Sequence, residues 1–281
     1  MASDRLKRAL GGFVWGLLGR NRMVRFGQFL VNTGRLDVLD DLAGHGEEVI
    51  QQVVLSRAEE PLIVFDVGAF RGWWTESLLR VAGPAHRALE VYLFEPSEEN
   101  HSILLERMSK FPQTAKLHPI KLGMSDRAGD GTFFVAGTGG TNSMVKHHLL
   151  TPDVTTETVQ LTRVDLFCRE HGIDGLSLLK IDTEGHDLSV LQGSEDLLSE
   201  HRIQVVQFEY NQQWISARCF LRDAIDLLRS HGYCVGKVTP RGVEFYENWH
   251  WELETFRLAN FVACLPAWKP HFPQIRWWNQ A

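Results

Sequence analysis

Short apolar runs alternate with segments of helical spacing from residue 61 to the end of the chain. The apolar runs predict strands at 62–65, 91–94, 117–124, 176–181 and 203–208. Between them, apolar positions three and four residues apart predict helices at 75–81, 97–108, 164–171, 187–198 and 220–229. Strands alternating with helices form right-handed βαβ units. The pattern therefore predicts an α/β fold with a parallel sheet covered by helices on both faces.

The remaining segments extend this core at both ends and in the middle. Two strands at 132–136 and 158–161 are predicted around a loop at 137–142, and three more follow at 233–238, 243–246 and 258–265. Residues 36–56 are predicted to be mostly helical, with an interruption at 44–46. We therefore divide the chain into an N-terminal helical extension, 1–58, and one α/β domain, 59–281.

The N-terminal segment combines basic and apolar residues. Arginines and a lysine flank an apolar run at 9–18, which imitates a signal peptide, but the run holds several glycines and has no clear cleavage site. The pattern favours a helix that packs on the domain or on a partner chain, so a homo-oligomer stays open. Peripheral contact with an anionic membrane surface is the alternative. With no run of 18 apolar residues, no membrane-spanning helix is predicted.

Composition narrows the class of protein. In 281 residues, 44% are hydrophobic and 23% charged, which is typical of a folded globular chain. The net charge of −6 argues against broad nucleic-acid binding, since such binding depends on neutralising phosphates. Four cysteines without a Cys-x-x-Cys pair predict reduced thiols in a cytoplasmic protein rather than a zinc site or a disulfide scaffold.

Acidic residues end four of the predicted strands. These residues are Asp66, Glu95, Asp182 and Glu209. The carboxyl ends of parallel strands share one edge of the sheet, where ligands bind. Gathering like charges there costs energy unless a ligand or a cation uses them. The sequence therefore predicts a binding site at this edge.

The turn after the first strand indicates the kind of ligand. Asp66 stands beside Gly68, and the segment lacks the Gly-x-Gly-x-x-Gly pattern that holds a pyrophosphate. An acid in this place suits a cationic group, and Glu95 can accept hydrogen bonds from a ribose diol. An amine and a ribose without phosphate describe S-adenosylmethionine. A nicotinamide-dependent oxidoreductase is the weaker alternative, and a noncatalytic binding protein that keeps the fold is another.

Four stretches together resemble a known family. They are Asp-Val-Gly-Ala at 66–69, Phe-Glu-Pro at 94–96, Ser-Asp at 125–126 and Leu-Lys-Ile-Asp-Thr-Glu-Gly-His-Asp at 179–187. Over about 61–266 the chain resembles the FkbM family of S-adenosylmethionine-dependent methyltransferases. The resemblance implies a Rossmann-like class I methyltransferase sheet of seven strands with the last antiparallel. It also implies O-methylation of a hydroxyl on a small-molecule or glycosylated acceptor, such as a sugar, a glycolipid or a secondary metabolite.

The resemblance also assigns roles to residues. It implies that Asp66, Gly68 and Gly72 shape the methionine end of the cofactor site and that Glu95 binds the ribose. It implies that Ser125 and Asp126 lie by the adenine. It also implies that Asp182 and Glu184 lie near the sulfonium and the acceptor. The chain departs from the family at Phe70, where Asn is common, and at Asp187, where Glu is common. A polar contact at position 70 is therefore in doubt, and Asp187 is expected only to cap a helix.

A hydroxyl acceptor must lose its proton as it attacks. His186 is the first candidate base, because the ordinary pKa of histidine is near neutrality. Asp182 is the second, as a base or as an orienting group. Asp182, Glu184 and Glu209 offer oxygen ligands that suit magnesium, but a divalent metal is not expected. The aromatic cluster at 249–251 is a candidate acceptor surface, and the histidines at 147–148 are expected in a solvated loop.

Overall fold

An eight-stranded sheet with helices on both faces forms the centre of the fold. The computed structural model describes residues 2–37, 46–83, 88–111, 115–136, 141–147 and 154–279. Its helices are α1 (Ala2–Arg35), α2 (Glu47–Arg57), α3 (Trp73–Ala82), α4 (Glu98–Met108), α5 (Val164–His171), α6 (Asp187–Gln192), α7 (Glu195–Ser199), α8 (Gln213–Ala217) and α9 (Leu221–Ser230). Its strands are β1 (Leu62–Val67), β2 (Leu89–Phe94), β3 (Lys116–Ile120), β4 (Gly123–Met124), β5 (Gly129–Val135), β6 (Thr155–Thr162), β7 (Leu176–Ile181), β8 (Ile203–Tyr210), β9 (Cys234–Thr239), β10 (Gly242–Tyr246) and β11 (Ala259–Cys264).

The main sheet has the order β10-β9-β11-β8-β7-β1-β2-β3. The strands from β8 to β3 pair in parallel, whereas β11 runs antiparallel to both β8 and β9. The α/β class and the antiparallel last strand are therefore confirmed. The expected count of seven strands is one too low, because β10 folds back on β9 as a hairpin and adds an antiparallel strand at the edge.

One predicted strand and one predicted helix are each divided in two. The run at 117–124 breaks after Ile120, where the Leu122 N–H bonds to the Ile120 carbonyl at 3.0 Å. The chain then leaves the main sheet as β3 ends, and β4 joins a second sheet with the order β4-β6-β5. The helix expected at 187–198 breaks at Gly193, where an added Cβ would lie 2.0 Å from the Ser125 carbonyl oxygen.

Helix α2 packs against the domain that follows it. Ile50 and Val54 are fully buried in one apolar cluster with Leu62, Val64 and Leu78 of β1 and α3. A second cluster lies against the other face of the sheet and includes residues of α5, α6 and α9. The boundary after residue 58 stays a prediction, but α2 belongs to the same apolar core as β1. The interruption expected at 44–46 lies largely outside the described residues.

Helix α1 meets the domain through its last turn. Arg35 pairs with Glu252 at 2.5 Å, and the Asn32 side-chain oxygen accepts a hydrogen bond from Arg257 at 2.5 Å. Farther from the domain the helix is kinked at Gly19, which has a φ of 69°. Among the helices of the described ranges, none is both long enough and apolar enough to cross a bilayer.

Candidate active site

A cavity of about 850 Å³ opens at the carboxyl ends of the central parallel strands. Five residues to which the sequence assigned roles line it: Gly68, Glu95, Asp182, Glu184 and His186. The other four assigned residues, Asp66, Gly72, Ser125 and Asp126, lie outside its lining. Convergence at this edge of the sheet follows from the topology. The individual ligand contacts stay predictions.

Gly68 is required where the ends of β1 and β7 meet. Its φ is +77°, and an added Cβ would lie 1.8 Å from the carbonyl oxygen of Asp182. Any side chain here would separate the two strand ends that carry the site. Gly72 has a different part, because an added Cβ would meet the Met108 side chain at 2.6 Å. It lets α3 begin close to α4 and does not reach the cavity.

Glu95 holds the turn after β1 and faces the cavity. Its carboxylate accepts hydrogen bonds from the Phe70 N–H at 3.0 Å and from the Ser97 N–H at 2.9 Å. The side chain is almost fully buried, and burial raises its pKa to about 7. Each carboxylate oxygen can accept more than one hydrogen bond, so acceptor capacity remains for a ligand. Phe70 has a φ of +49°, a backbone conformation that Asn adopts more readily than Phe.

Lys180 lines the cavity, although the sequence analysis gave it no role beyond its place in the family motif. Its Nζ lies 3.0 Å from Asp66 Oδ1, 3.4 Å from Asp182 Oδ2 and 3.3 Å from the Gly68 carbonyl oxygen. The side chain is 3% exposed. Burial acts to lower the pKa of Lys180, but the nearby carboxylates outweigh it and raise the pKa above its ordinary value. The available signal was a lysine within an otherwise apolar strand.

Asp66 supports this lysine from below the cavity wall. Its carboxylate is fully buried and accepts a hydrogen bond from the Thr75 hydroxyl at 2.6 Å. Of the ion pair, Lys180 lines the cavity and Asp66 does not. The expected direct contact between Asp66 and a cationic ligand therefore has no support in this arrangement. The pair instead fixes the ends of β1 and β7 together.

His186, Ser125 and Asp126 form a hydrogen-bonded chain at the cavity wall. The Ser125 hydroxyl donates to Asp126 Oδ1 at 2.9 Å and lies 2.9 Å from His186 Nε2. In that arrangement Nε2 donates to Ser125, and Nδ1 is left as the accepting nitrogen. Burial lowers the pKa of His186 to about 4, so the ring is neutral at pH 7. Ser125 and Asp126 contact His186 and lie outside the cavity lining, and their place by the adenine stays a prediction.

Three carboxylates at the cavity floor form what we call the acidic cluster: Asp182, Glu184 and Glu209. One oxygen of each lies within 4.8 Å of the others. Burial and the neighbouring negative charges raise the pKa of Glu184 to about 8 and that of Glu209 well above its ordinary value. Amide groups already bond to the cluster, since Asn211 donates to Glu209 and Gln213 donates to Glu184 at 2.6 Å. Raised pKa values of this kind favour protonated carboxyl groups or a bound cation at the cluster.

Asp187 shapes the loop that carries Glu184. Its fully buried carboxylate accepts hydrogen bonds from the Thr183 N–H at 3.3 Å and from the Gly185 N–H at 3.1 Å. Burial raises its pKa to about 7. Asp187 is the first residue of α6, but its carboxylate bonds to amides of the loop before the helix, so the predicted helix cap is wrong and Asp187 fixes the loop instead.

Glu47 is a second residue that the sequence analysis did not anticipate. It begins α2, lines the cavity and accepts a hydrogen bond from Asn260 Nδ2 at 2.6 Å. Burial raises the pKa of Glu47 to about 7, with Lys180 opposing the shift. The half-exposed indole of Trp73 also lines the cavity. Because Glu47 is distant in sequence from every strand end, only the folded chain shows that it faces the same cavity as Lys180.

Two other expectations are not met. The residues at 249–251 lie outside the cavity lining, where Trp249 Nε1 donates to Glu254 at 2.9 Å. His147 is buried rather than solvated, with Nε2 at 3.1 Å from the Thr141 carbonyl oxygen. His148 lies outside the described residues.

The fold is that of a class I methyltransferase. Its sheet has antiparallel β11 inserted between β8 and β9, and its cavity lies at the carboxyl edge of the parallel strands. Residues 66–235, more than half of the chain, match the methyltransferase FkbM domain. The chain belongs to the FkbM methyltransferase family. The matched segment contains all the residues that the sequence analysis named for cofactor binding or catalysis, but not the aromatic cluster at 249–251.

Known proteins of this kind are similar over parts of their length. The chain is 26% identical over 168 residues to the hexuronic acid methyltransferase AglP of Haloferax volcanii, covering 58% of this chain and 62% of AglP. It is 23% identical over 212 residues to the 2-O-methyltransferase NoeI of Sinorhizobium fredii, covering 69% of this chain and 82% of NoeI. The crystal structure of methyltransferase FkbM from Methylobacillus flagellatus is 17% identical, with a TM-score of 0.44, covering 72% of this chain and 43% of that one.

The donor set of the cavity fits S-adenosylmethionine. Glu95 offers carboxylate oxygens at the end of β2, and Asp182 offers another at the end of β7. Met124 and Phe133 supply apolar wall to the same cavity. Carboxylates suit a ribose diol and a cationic sulfonium or amine, and apolar walls suit a base ring. The cavity presents no Gly-x-Gly-x-x-Gly turn that would suit a pyrophosphate.

Proposed function

We propose that this protein transfers the methyl group of S-adenosylmethionine to a hydroxyl oxygen of a sugar-containing acceptor. The observation that carries the proposal is the cavity in which Glu95, Asp182 and His186 meet, within the segment that matches the family. The names of AglP and NoeI, a hexuronic acid methyltransferase and a 2-O-methyltransferase, support the acceptor class.

Glu95 and Asp182 would hold the cofactor. Glu95 is fixed by two backbone amides, so its free acceptor capacity is oriented before a ribose arrives. Asp182 is held by Lys180 at 3.4 Å and by the close contact of its backbone with Gly68. When bound, S-adenosylmethionine supplies an electrophilic methyl group. Methyl transfer then depends on alignment of the acceptor oxygen, and rigid positioning is what these fixed residues provide.

The acceptor would enter from the side of α2 and α3. Glu47 presents a carboxyl group there, and Trp73 presents an indole face. Carboxyl groups and indole faces bind sugar hydroxyls and the apolar faces of sugar rings. We assign Glu47 to the binding of an acceptor hydroxyl. It is a binding group on the acceptor side, separate from the groups that hold the cofactor.

His186 is the candidate for removing the acceptor proton. Its ring is neutral at pH 7, and Ser125 bonds to Nε2 and so orients the ring. A neutral imidazole can take a proton at Nδ1, and Asp126 stabilises the charge that then develops, because its carboxylate raises the pKa of His186. Glu184 suits this task less, because a carboxyl group with a pKa of about 8 holds its proton at neutral pH.

The test is transfer of a labelled methyl group to defined sugars. Purified protein is incubated with S-adenosylmethionine carrying an isotopic methyl label and with free hexuronic acids and hexoses, and the products are identified by mass spectrometry. We expect an O-methylated sugar from wild type and none from His186→Ala. A labelled product bearing the methyl group on nitrogen or carbon contradicts the proposal.

Glu47→Gln isolates the acceptor side. We expect it to raise the KM for the sugar roughly tenfold, the worth of one hydrogen bond to a charged group, and to leave S-adenosylhomocysteine affinity unchanged. Glu59→Gln is the matched control, because Glu59 is exposed and lies outside the cavity. An equal loss of S-adenosylhomocysteine binding in Glu47→Gln would contradict the assignment.

A further inference from the structure

Helix α1 exposes far more apolar surface than its contacts with the domain explain. Phe13, Trp15 and Leu17 are 66%, 56% and 67% exposed. Six further large apolar side chains of the same helix are exposed: Leu18, Val24, Phe26, Phe29, Leu30 and Val31. Soluble chains do not usually leave so much contiguous apolar surface uncovered, and such a surface marks an interaction site.

The charge of α1 is opposite to that of the rest of the chain. The helix carries seven arginine or lysine residues and one aspartate. The remaining residues therefore hold 22 basic and 34 acidic side chains. Arg20, Arg22 and Arg25 directly follow the apolar run at 9–18. A basic segment beside exposed aromatic and aliphatic residues is complementary to a surface that is apolar inside and anionic outside.

The placement of the apolar residues around the helix favours a lipid surface over a protein groove as the partner of α1. At about 100° per residue, Phe13 and Trp15 point roughly 160° apart around the helix. A groove on a second copy covers one side of a helix and would leave the other side wet. The interfacial region of a bilayer surrounds a partly inserted helix. The uncharged run at 9–18 is about 15 Å long as a helix, half of a hydrocarbon core, so it suits shallow insertion.

We propose that α1 attaches the protein to membrane surfaces that contain anionic lipids. Phe13, Trp15 and Leu17 enter the boundary between headgroups and acyl chains, and Arg20, Arg22 and Arg25 contact lipid phosphates. The long arginine side chains reach the phosphates while their stems cover apolar surface.

The attachment has a consequence for the acceptor that rests on the proposed function. The last turn of α1 is bonded to Arg257, and the next residue, Leu258, lines the cavity. Attachment through α1 therefore tethers the cavity to the lipid surface, where a sugar carried on a lipid is within reach. Lipid binding itself requires neither cofactor nor acceptor.

The experiment is flotation of the full-length protein with vesicles. One set is phosphatidylcholine alone, and the other contains phosphatidylglycerol as well. We expect wild type to float with the anionic vesicles and much less with the neutral ones. The triple variant R20Q/R22Q/R25Q should bind roughly 100-fold more weakly, since each basic residue near an anionic surface contributes about fivefold. The triple variant F13A/W15A/L17A should lose at least roughly tenfold.

A matched control removes three exposed charges from the body of the protein. The variant K110Q/K116Q/R169Q changes side chains that are 68%, 76% and 69% exposed, and it should bind like wild type. Equal loss in this control would show that only net charge matters and would overturn the assignment to α1. Wild-type protein that fails to float with either vesicle also overturns it.

Light scattering and cofactor binding complete the test. A wild-type dimer that becomes monomeric in F13A/W15A/L17A would show that a second copy covers α1, against the proposal. S-adenosylhomocysteine affinity is measured on the same preparations. If that affinity persists while vesicle binding is absent, the membrane proposal fails and the proposed function stands. If vesicle binding persists while the protein does not bind S-adenosylhomocysteine, the membrane proposal stands and the proposed function fails.

Discussion

Replacing Lys180 by methionine tests how the site is held together. The substitution removes the only cation beside Asp66 in the described part of the chain and leaves that carboxylate fully buried. At 3.0 Å and an effective dielectric of about 20, the lost attraction is about 5 kcal/mol. The desolvation of the lysine that is avoided offsets part of it. We expect the free energy of unfolding to fall by about 3–5 kcal/mol, as when one partner of a buried pair is removed.

Denaturant unfolding of a double-mutant cycle measures this directly. Adding Asp66→Asn to Lys180→Met removes the stranded charge, so the double variant should be about 2 kcal/mol more stable than Lys180→Met alone. Lys116→Met, at a 76% exposed lysine, is the control and should change stability by about 0.5 kcal/mol or less. Additive losses in the cycle, or a loss below about 1 kcal/mol in Lys180→Met, would refute the reasoning.

Four further predictions follow from single residues or from the acidic cluster. Glu95→Gln should weaken S-adenosylhomocysteine binding roughly tenfold in calorimetry, because the ribose loses a charged hydrogen-bond acceptor. Unchanged binding would contradict the predicted contact between Glu95 and the ribose. Gly68→Ala should lower the free energy of unfolding by roughly 3 kcal/mol or more, whereas Gly12→Ala should not lower it, because there is open space around Gly12. Equal stability of the two variants would contradict the close approach of Gly68 to the Asp182 carbonyl oxygen. Burial lowers the pKa of His186 to about 4, so as pH falls the unfolded chain binds a proton at this residue before the folded chain does. His186 therefore lowers the free energy of unfolding as pH falls from about 6.5 to about 4. His186→Gln should remove that part of the pH dependence in unfolding curves. Dialysis against EDTA should leave methyl transfer intact, because side-chain amides already bond to carboxylates of the acidic cluster; loss restored by magnesium would show a metal site.

Periodicity was enough to predict the architecture. Each central parallel strand is an apolar run that ends in Gly or an acidic residue, and each is buried on both faces, so its pattern differs clearly from that of the helices. The breaks that periodicity missed depend on contacts between distant segments. Gly123 and Gly193 fit against Leu161 and Ser125, which no local pattern reveals.

The topology alone predicts the site residues that end strands, whereas Glu184 and His186 were named from the family motif that contains them. Glu95, Asp182 and Glu209 meet at one edge because the topology requires it. Whether a strand-end residue faces the cavity or lies beneath it depends on packing, which is why Asp66 is buried under Lys180. Glu47 comes from a helix more than a hundred residues away from Asp182, and only the folded structure brings it to the cavity.

Equilibrium titration of the purified protein with S-adenosylhomocysteine and, separately, with NAD tests the central claim most directly. The arrangement of Glu95 and Asp182 without a pyrophosphate turn predicts saturable one-to-one binding of S-adenosylhomocysteine and no binding of NAD. Saturable binding of NAD together with no response to S-adenosylhomocysteine would contradict the account.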